Sequence, residues 1–397
     1  MRQLYLSVIG LYVTVLSAFS QTATDSSGYK NKKLHLEEIN FISSYYHQNG
    51  DHSPVTGGTG TERLTDLAAT LDVKMNWYHR PQLKQEVGLE LGIEHYTSAS
   101  SDNINPYNIS SASSHDTKLN PSASYIISNE KKGWAAEIDG SYAVESIYRS
   151  KGAGLAFTKT STDKSRELSV KLYTYLDKIS LVLPIEFRPG PYVSARHDPR
   201  AERDSYSGSL TFKQVINPRL QCSVMLDLAF QHGYLSTPFY RNYFTDGYEA
   251  IERLPSSRFK IPVGVRLNYF LGDRWIIRTF YRYYTDSWGL TANTFQLELP
   301  VKITPFVSIS PFYRFYSQNS VRYYGPYRTH TMSEEYFTTD DDLSKFESSY
   351  VGTEVRSAPP GGVFRIHHVT ALELRGGFYK RTDGLHAYII TLAVGIK

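Results

Sequence analysis

The feature that most constrains this chain is a strict alternation of apolar and polar residues, sustained over roughly nine to twelve residues in segment after segment. In "NTFQLELPVKI" (293–303), Phe295, Leu297 and Leu299 share one parity, whereas Glu298 and Lys302 share the other. Successive residues of a β-strand point to opposite faces, so each segment predicts a strand with one apolar and one polar face. Strands of soluble sheets usually span about five to six residues, whereas a tilted membrane-spanning strand needs about nine to eleven. These strands are long enough to cross a bilayer.

The connections between the strands alternate between tight turns and longer polar loops. Tight turns are expected near 79–82, 129–133, 176–178, 216–219, 270–273, 303–306 and 358–362. Longer loops are expected near 48–62, 97–117, 148–165, 188–204, 233–257 and 319–345, with shorter members near 287–291 and 381–384. Short turns on one rim and long loops on the other are typical of outer-membrane barrels. The sequence therefore predicts an all-β fold, a transmembrane antiparallel up-and-down β-barrel of about sixteen strands, with tight periplasmic turns and long extracellular loops.

Aromatic residues agree with that prediction. They make up 14% of the chain, with 32 Tyr and 19 Phe, and they gather near the ends of predicted strands, as at Trp77, Tyr96, Tyr269 and Tyr316. Such belts are typical of the two interfaces of a membrane. A soluble β-sandwich or β-propeller is the alternative, but its strands would be shorter.

The N-terminus carries the pattern of an export signal. In "MRQLYLSVIGLYVTVLSAFSQ" the basic residue Arg2 precedes an apolar run from Leu4 to Leu16 and small residues at Ala18 and Ser20. This pattern predicts a signal peptide over 1–20, a short periplasmic tail over 21–33 and an outer-membrane β-barrel over 34–397. An N-terminal membrane anchor is the alternative interpretation of the apolar run. The predicted location is the cell outer membrane.

Parity also assigns charged residues to the inner face of the barrel, and the two signs separate along the chain. The early strands direct acids inward, namely Asp66, Asp72, Glu86, Glu90, Glu94, Glu137, Asp139 and Glu145. The late strands direct bases inward, namely Arg258, Lys260, Arg266, Arg274, Arg278, Arg282, Arg314, Arg375 and Arg381. We interpret them as an acidic arc and a basic arc of the lumen wall, which would create a transverse field across a water-filled lumen. The alternative is that these charges pair with each other or with a loop folded inward.

The loop near 319–345 holds a further group of carboxylates, at Glu334, Glu335, Asp340, Asp341 and Asp342. Oxygen ligands of this kind suit Ca²⁺, so the group is a candidate cation-binding site, although its spacing lacks the glycine and the final glutamate of an EF-hand. A solvated, negatively charged outer loop is the alternative.

Signals for catalysis are weak. We find no G-x-S-x-G, phosphate-binding G-x-x-x-x-G-K or H-E-x-x-H motif, and the adjacent His367 and His368 would point to opposite faces of a strand.

The single cysteine, Cys222, excludes an internal disulfide and shares the lipid-facing parity of Val224. The net charge of +4, without a basic run, gives no reason to expect nucleic acid as a partner. We expect neither an enzyme nor a bound metal or cofactor, and the alternative is a membrane-embedded hydrolase with Ser and His on one wall.

Three prolines interrupt predicted strands. Pro184, Pro262 and Pro300 all have lumen-facing parity. Because proline has no N–H to donate to the ladder, we expect bulges or locally broken pairing at each of them. The wall would bend at these points or receive an inward loop.

Three stretches carry a family resemblance. "YRYYTDSWGLTANTFQLELPVKITPFVSISPFYRFYSQ" (281–318) and "HTMSEEYFTTDDDLSKFES" (330–348) resemble an uncharacterised outer-membrane β-barrel family, a domain of unknown function, of Bacteroides-type Gram-negative bacteria. "YKRTDGLHAYIITLAVGIK" (379–397) resembles its closing hairpin. The resemblance covers nearly the whole chain after the signal peptide, is most specific after residue 265, and implies a barrel without an established activity. The last residue, Lys397, departs from the aromatic residue that is usual in the wider barrel class.

Two classes of function stay open from the sequence. One is a porin-like channel, which is favoured because a sixteen-stranded barrel is wide enough for an aqueous lumen. The other is a plugged barrel without transport activity that serves as a scaffold or docking partner in an envelope complex, since loop 319–345 is long enough to fold inward. Expected partners are outer-membrane lipid, the barrel assembly machinery during biogenesis and, for the scaffold, a periplasmic or surface protein.

Overall fold

The computed structural model describes residues 33–80, 82–97, 115–187 and 200–397. The predicted signal peptide and nearly all of the predicted periplasmic tail lie outside these residues. Among the residues described, no helix combines the length and the apolar character needed to cross a membrane.

The alternating segments form strands, as their period of two requires. In the described residues these strands are β1 (His35–Asn49), β2 (Leu64–Arg80), β3 (Leu83–Thr97), β4 (His115–Asn129), β5 (Trp134–Val144), β6 (Tyr148–Thr160), β7 (Arg166–Ser180), β8 (Arg200–Asn217), β9 (Leu220–Gly233), β10 (Arg241–Tyr243), β11 (Glu249–Ile251), β12 (Ser257–Leu271), β13 (Trp275–Asp286), β14 (Thr291–Glu298), β15 (Val301–Lys302), β16 (Val307–Gln318), β17 (Phe346–Ser357), β18 (Val369–Arg381) and β19 (His386–Ile396). Short 3-10 turns lie at Pro54–Thr56, Ile185–Phe187, Asp341–Leu343 and Val363–Arg365.

The strands close into one barrel. Each wall strand pairs antiparallel with the next along the chain, and β1 pairs with β19 from Ile39 opposite Ile396 to Asn49 opposite His386. The hairpin β10–β11 is a separate small sheet within a loop, whereas β14 and β15 are two parts of one wall strand. Within the described residues the barrel thus has sixteen wall strands, which confirms the predicted fold class. Closure leaves no free sheet edge, so the backbone of the wall is satisfied without water.

Strand register determines which side chains face outward. Val263 lies opposite Tyr283, and Cys222 lies opposite Leu267, on the outer surface of the barrel. Large apolar side chains are exposed over this surface, with aromatic residues such as Trp275 near its edges. An apolar surface bordered by aromatic residues is suited to lipid. The free thiol of Cys222 therefore lies on the lipid-facing side, as its parity predicted.

The order of connections differs from the prediction in two regions. Residues 148–165 were predicted to be a long loop but form β6 and a short turn, and residues 176–178 were predicted to be a tight turn but lie inside β7. Asp177 and Lys178 pair with neighbours on both sides, because tertiary pairing continues the strand through them. The first error removes one strand from the predicted count and the second adds one, so the predicted total stays the same. The connection 358–368 is also longer than the tight turn predicted at 358–362.

Pro300 divides one wall strand into β14 and β15, as predicted. The neighbouring strand β16 carries a second proline at the same level, and the Leu299 amide donates to the Pro311 carbonyl at 2.9 Å. The Pro300 carbonyl accepts from the Ile276 amide at 3.0 Å. Two prolines on facing strands remove two ladder donors, so pairing breaks locally while the register on both sides is kept.

The other two prolines behave differently. Pro262 pairs with Tyr284 on β13, but pairing with β9 is interrupted between Lys260 and Val263 without a change of register. That interruption agrees with the prediction of broken pairing. The prediction for Pro184 is wrong, because this residue follows the end of β7 and belongs to no strand.

Glycines on the inner face let aromatic rings lie against the wall. A Cβ atom added at Gly352 would sit 2.5 Å from the Phe312 ring and would collide with the Gly376 carbonyl oxygen. A Cβ atom at Gly377 would sit 2.6 Å from the Tyr350 ring. Glycine is thus required where a ring or the neighbouring backbone approaches this closely.

We expect Gly352→Ala to destabilise the barrel by about 1–3 kcal/mol, because the added methyl group overpacks the contact with Phe312. Gly376→Ala is the matched control, since no atom lies within 4 Å of its added Cβ. Urea unfolding in detergent, followed by tryptophan fluorescence, measures both variants. Equal midpoints for the two variants would contradict this account of the wall.

Candidate functional site

Three loops on one rim meet over the lumen. We define the cap as loops 50–63, 234–256 and 319–345. Arg241 donates to the Val55 carbonyl at 2.6 Å, and the Thr339 hydroxyl donates to the Arg241 carbonyl at 2.9 Å, so one residue joins all three loops. An isolated bridge also pairs Arg253 with Phe337. The three loops therefore form one interlocked unit.

The interior of the cap is tightly packed and largely polar. Asn242 and Thr338 are completely buried, and Phe244 is nearly so. Buried Glu252 accepts from the Thr338 hydroxyl at 2.5 Å and from the Thr237 amide at 2.6 Å. Because a buried carboxyl group is costly unless it is hydrogen-bonded, these contacts hold loops 234–256 and 319–345 in one relative position.

An apolar cluster packs the cap against the inner wall at the mouth of the barrel. Leu254 and Val321 of the cap pack with Trp288, Leu290 and Ala292. Ala292 belongs to β14 and has the parity of its lumen-facing residues. The apolar side of the cap thus lies inside the barrel wall. Full burial of an apolar side chain stabilises by about 1.5–3 kcal/mol, so these contacts alone favour the seated position.

A buried arginine of the wall fixes the cap from below. Arg381 at the end of β18 is 5% exposed, binds the Asp342 carboxylate and lies 2.5 Å from Asp383. Its guanidinium also donates to the Asp341 carbonyl at 2.9 Å and lies 3.8 Å from the centroid of the Phe346 ring. Since Asp341 and Asp342 belong to loop 319–345, Arg381 ties this loop to the wall.

Burial changes the acid–base behaviour of the cap. Burial raises the pKa of Glu252 to about 7, and burial together with the charge of Asp342 raises the pKa of Glu62 to about 7. Burial and the neighbouring Asp342 and Glu252 also raise the pKa of Asp340 well above its usual value. Glu252 and Glu62 are therefore partly protonated near neutral pH, which reduces the repulsion among the carboxyl groups of the cap.

The predicted basic arc lies on the inner face of strands β12 to β18. Register places these side chains toward the lumen: Arg258, Lys260, Arg266, Arg278, Arg282, Arg314, Arg375 and Arg381. The prediction is wrong for Arg274, which lies in the turn between β12 and β13. A turn does not keep the alternation of a strand, so parity no longer assigns a face there.

Acids on the same wall neutralise part of the basic arc. Glu298 lies 2.7 Å from Arg278 and 3.7 Å from Arg375, and Arg375 lies 3.0 Å from Glu354. The sequence prediction of the arc did not include these two acids. Both have the lumen-facing parity of their strands, so parity could have found them, but their partners depend on register across strands.

Other bases of the arc are not neutralised. In the part of the chain that the structure describes, no carboxylate lies within ion-pair distance of Lys260, Arg266, Arg282 or Arg314. Arg266 lies 5.4 Å from the Phe280 ring centroid, and Arg314 donates to Gln296 at 3.1 Å. Arg266, Phe280, Gln296 and Arg314 follow one another directly across β12, β13, β14 and β16. The basic wall therefore presents free positive charge to the lumen.

The predicted acidic arc lies on strands β2 to β5. Five of its members line a cavity of about 600 Å³ on the inner wall: Asp72, Glu86, Glu90, Glu137 and Asp139. Asp66 and Glu94 lie closer to the rim of the cap. Glu145 lies just past the end of β5, where it accepts from the Tyr96 hydroxyl at 2.8 Å.

Lysines that the sequence prediction did not include lie among these acids. The pairs are Lys171 with Asp139 at 3.1 Å, Lys84 with Glu86 at 3.0 Å, Lys118 with Glu94 at 3.4 Å and Lys74 with Asp72 at 3.7 Å. These lysines share the inward parity of the acids, so this signal was present in the sequence. Among the described residues, Glu90 and Glu137 have no ion pair. Each arc thus contains both paired and free charges.

The acidic residues of loop 319–345 do not meet at one point. Glu334 lies 2.7 Å from His330, the Asp341 carboxylate accepts from Tyr324 at 2.5 Å, and Asp342 binds the wall arginine described above. Asp340 is half-buried in the cap, and Glu335 bonds to the neighbouring Tyr336. Across the described ranges, no three His, Cys, Asp or Glu side chains are arranged to hold a metal ion.

Several solved structures of outer-membrane proteins are similar to this chain. A BenF-like porin from Pseudomonas fluorescens Pf-5 has a TM-score of 0.43 and 8% identity, covering 93% of this chain and 100% of the porin. OccAB1 from Acinetobacter baumannii has a TM-score of 0.44 and 8% identity, covering 95% and 99%. A bacterial polysaccharide outer membrane secretin has a TM-score of 0.46 and 9% identity, covering 90% and 98%.

Sequence comparison identifies a family for this chain. No curated protein matches the sequence. A family model described as "Protein of unknown function (DUF3570)" matches residues 110–363, which is more than half of the chain and a narrower stretch than the resemblance indicated. The chain therefore belongs to the DUF3570 family of proteins of unknown function.

Proposed function

We propose that this protein is a porin-like channel in the outer membrane of a Bacteroides-type Gram-negative bacterium, exported through the signal peptide predicted over 1–20. The observation that carries the proposal is a closed barrel with an apolar outer face and free charges on its inner face. Arg266, Arg282 and Arg314 have no carboxylate partner among the described residues. An unpaired charge is costly away from water, so these residues favour a hydrated lumen. The proposal assigns no catalytic activity.

The proposed solutes are small, polar and charged or dipolar. The acidic arc on β2 to β5 and the free bases on β12 to β16 lie on different parts of the wall. Charged walls of opposite sign produce a potential that changes across the lumen. Such a field orients dipolar solutes and favours them over apolar ones in a narrow channel.

The cap supports a second candidate function, a plugged barrel that acts as a scaffold or docking partner in an envelope complex. The three cap loops interlock, and their inner residues Asn242 and Thr338 are completely buried. In such a protein the lumen stays closed to ions. A periplasmic or surface protein would then be the partner.

Planar-bilayer recordings of the purified barrel separate the two functions. A channel gives stepwise conductance, and the double variant Arg266→Glu with Arg282→Glu shifts its reversal potential in a salt gradient toward cation selectivity, because the free positive charge of the wall is inverted. The matched control is Arg219→Glu with Arg274→Glu, which makes the same change of net charge in two turns. A silent barrel would contradict the proposed channel. Equal shifts in both double variants would show that the free charges of the wall do not set its selectivity.

A further inference from the structure

We infer that the cavity beneath the cap binds a small zwitterion, a solute with one carboxylate and one ammonium group. The inference rests on the proposed channel and names the class of solute that it would select. The cavity has a volume of about 320 Å³ and lies between the cap and strands β1, β16, β17, β18 and β19. This volume is at the lower end of the range of about 300–1,000 Å³ that holds small organic ligands.

Arg314 supplies the group that binds the carboxylate. It faces this cavity from β16, and its Nε donates to Gln296 at 3.1 Å. Within the described residues it has no ion pair with a carboxylate, so its terminal nitrogens are available to a ligand. A guanidinium group binds a carboxylate through two parallel hydrogen bonds, which gives both strength and orientation.

Two cap residues supply the group that binds the ammonium ion. Glu62 lies beside Gly50, and among the described residues its carboxylate has no hydrogen-bond partner. Asp342 binds Arg381 but remains largely exposed toward the cavity. These two carboxylates repel a ligand that carries only negative charge. The guanidinium groups of Arg314 and Arg381 repel a ligand that carries only positive charge. A ligand that carries both charges satisfies both sides.

The remaining lining suits a short aliphatic chain between the two charges. Leu385 and Ile389 provide the apolar part of the cavity, and Tyr350 and Tyr379 border it from the wall. Tyr46 also lines the cavity, where its hydroxyl donates to Gln48 at 2.6 Å. Apolar contacts with a few polar groups at fixed positions are typical of small-molecule sites.

Binding at this site is linked to a proton on Glu62. Burial, and then the charge of Asp342, raises the pKa of Glu62 to about 7, while Asp341 and Asp383 act in the same direction and Arg381 opposes them. A bound ammonium group stabilises the ionised carboxylate, so binding releases this proton. The affinity therefore rises as the pH increases through about 7 and becomes constant above it.

Calorimetric titration of the full-length barrel in detergent tests the site with three probes that share a four-carbon chain. We expect γ-aminobutyrate to bind, and butyrate and butylamine to bind at least about tenfold more weakly. Arg314→Gln and Glu62→Gln each weaken the binding of γ-aminobutyrate by about tenfold or more. Arg356→Gln is the control, because this lumen-facing arginine is paired with Glu373 outside the cavity. In Glu62→Gln the pH dependence disappears.

Four other outcomes of this titration would contradict the zwitterion site or the channel. Equal binding of butyrate and γ-aminobutyrate would overturn the zwitterion site in favour of an anion site. Absence of binding by a barrel that conducts ions would overturn the site and leave the channel intact. Binding by a barrel that does not conduct would support the site and contradict the channel. Retained binding in both Arg314→Gln and Glu62→Gln would place the ligand elsewhere.

Discussion

Replacement of residues 322–342 by a short Gly-Ser linker raises the single-channel conductance severalfold. These residues carry Thr338 and Thr339, which bond to loop 234–256, and Asp341, which lies 3.3 Å from His52 of loop 50–63. Ion flow through an aqueous pore is limited by its narrowest section, so removal of material from the mouth acts directly on conductance. The wall survives the excision, because β16 and β17 pair from Val307 opposite Ser357 to Gln318 opposite Phe346. Recordings in planar bilayers under identical salt measure the effect.

The control for this excision is Met332→Ala. Met332 lies in the same loop and is 59% exposed, so its truncation leaves the cap in place and the conductance unchanged. Equal conductance of the excised and full-length barrels would show that the cap does not restrict flow. A full-length barrel that is silent and conducts only after the excision would assign the plugged state to the native protein.

Replacement of Arg381 by glutamine loosens the cap by about 1–3 kcal/mol, because the Asp342 carboxylate of loop 319–345 loses its charged partner on the wall. The same change removes the hydrogen bond to the Asp341 carbonyl. The expected result is faster hydrogen exchange at the amides of Phe337 and Thr338, which donate to Arg253 and Tyr323 in the closed cap. Mass-spectrometric hydrogen exchange over 319–345 measures this opening.

Arg356→Gln is the matched control for Arg381→Gln. Arg356 also faces the lumen and lies 2.6 Å from Glu373, but both side chains of this pair are well exposed. Exposed ion pairs contribute about 0–1 kcal/mol, so little change in exchange is expected. Similar exchange in the two variants would show that Arg381 does not hold the cap.

The misassigned strand β6 shows where sequence reasoning met its limit. Its glycines, Gly152 and Gly154, resemble loop residues in the sequence "YRSKGAGLAFTKT". In the barrel they are wall positions, because a Cβ atom at Gly154 would lie 2.5 Å from the ring of Tyr173 on β7. Close approach of a neighbouring ring, and not a turn, explains these glycines. The position of that ring depends on how β6 pairs with β7, and the sequence of β6 alone does not determine this pairing.

The sequence by itself determined the barrel wall and the two faces of its strands. The alternation of Phe295 and Leu297 with Glu298 is a local property, since a strand directs successive side chains to opposite faces in any tertiary context. Only the tertiary structure decided which charges are paired and that three loops meet in the mouth. These contacts join residues far apart in the chain: 186 positions separate Arg241 from Val55, and 86 separate Glu252 from Thr338. No local pattern encodes such contacts, because they arise only when the closed barrel brings its loops to one rim.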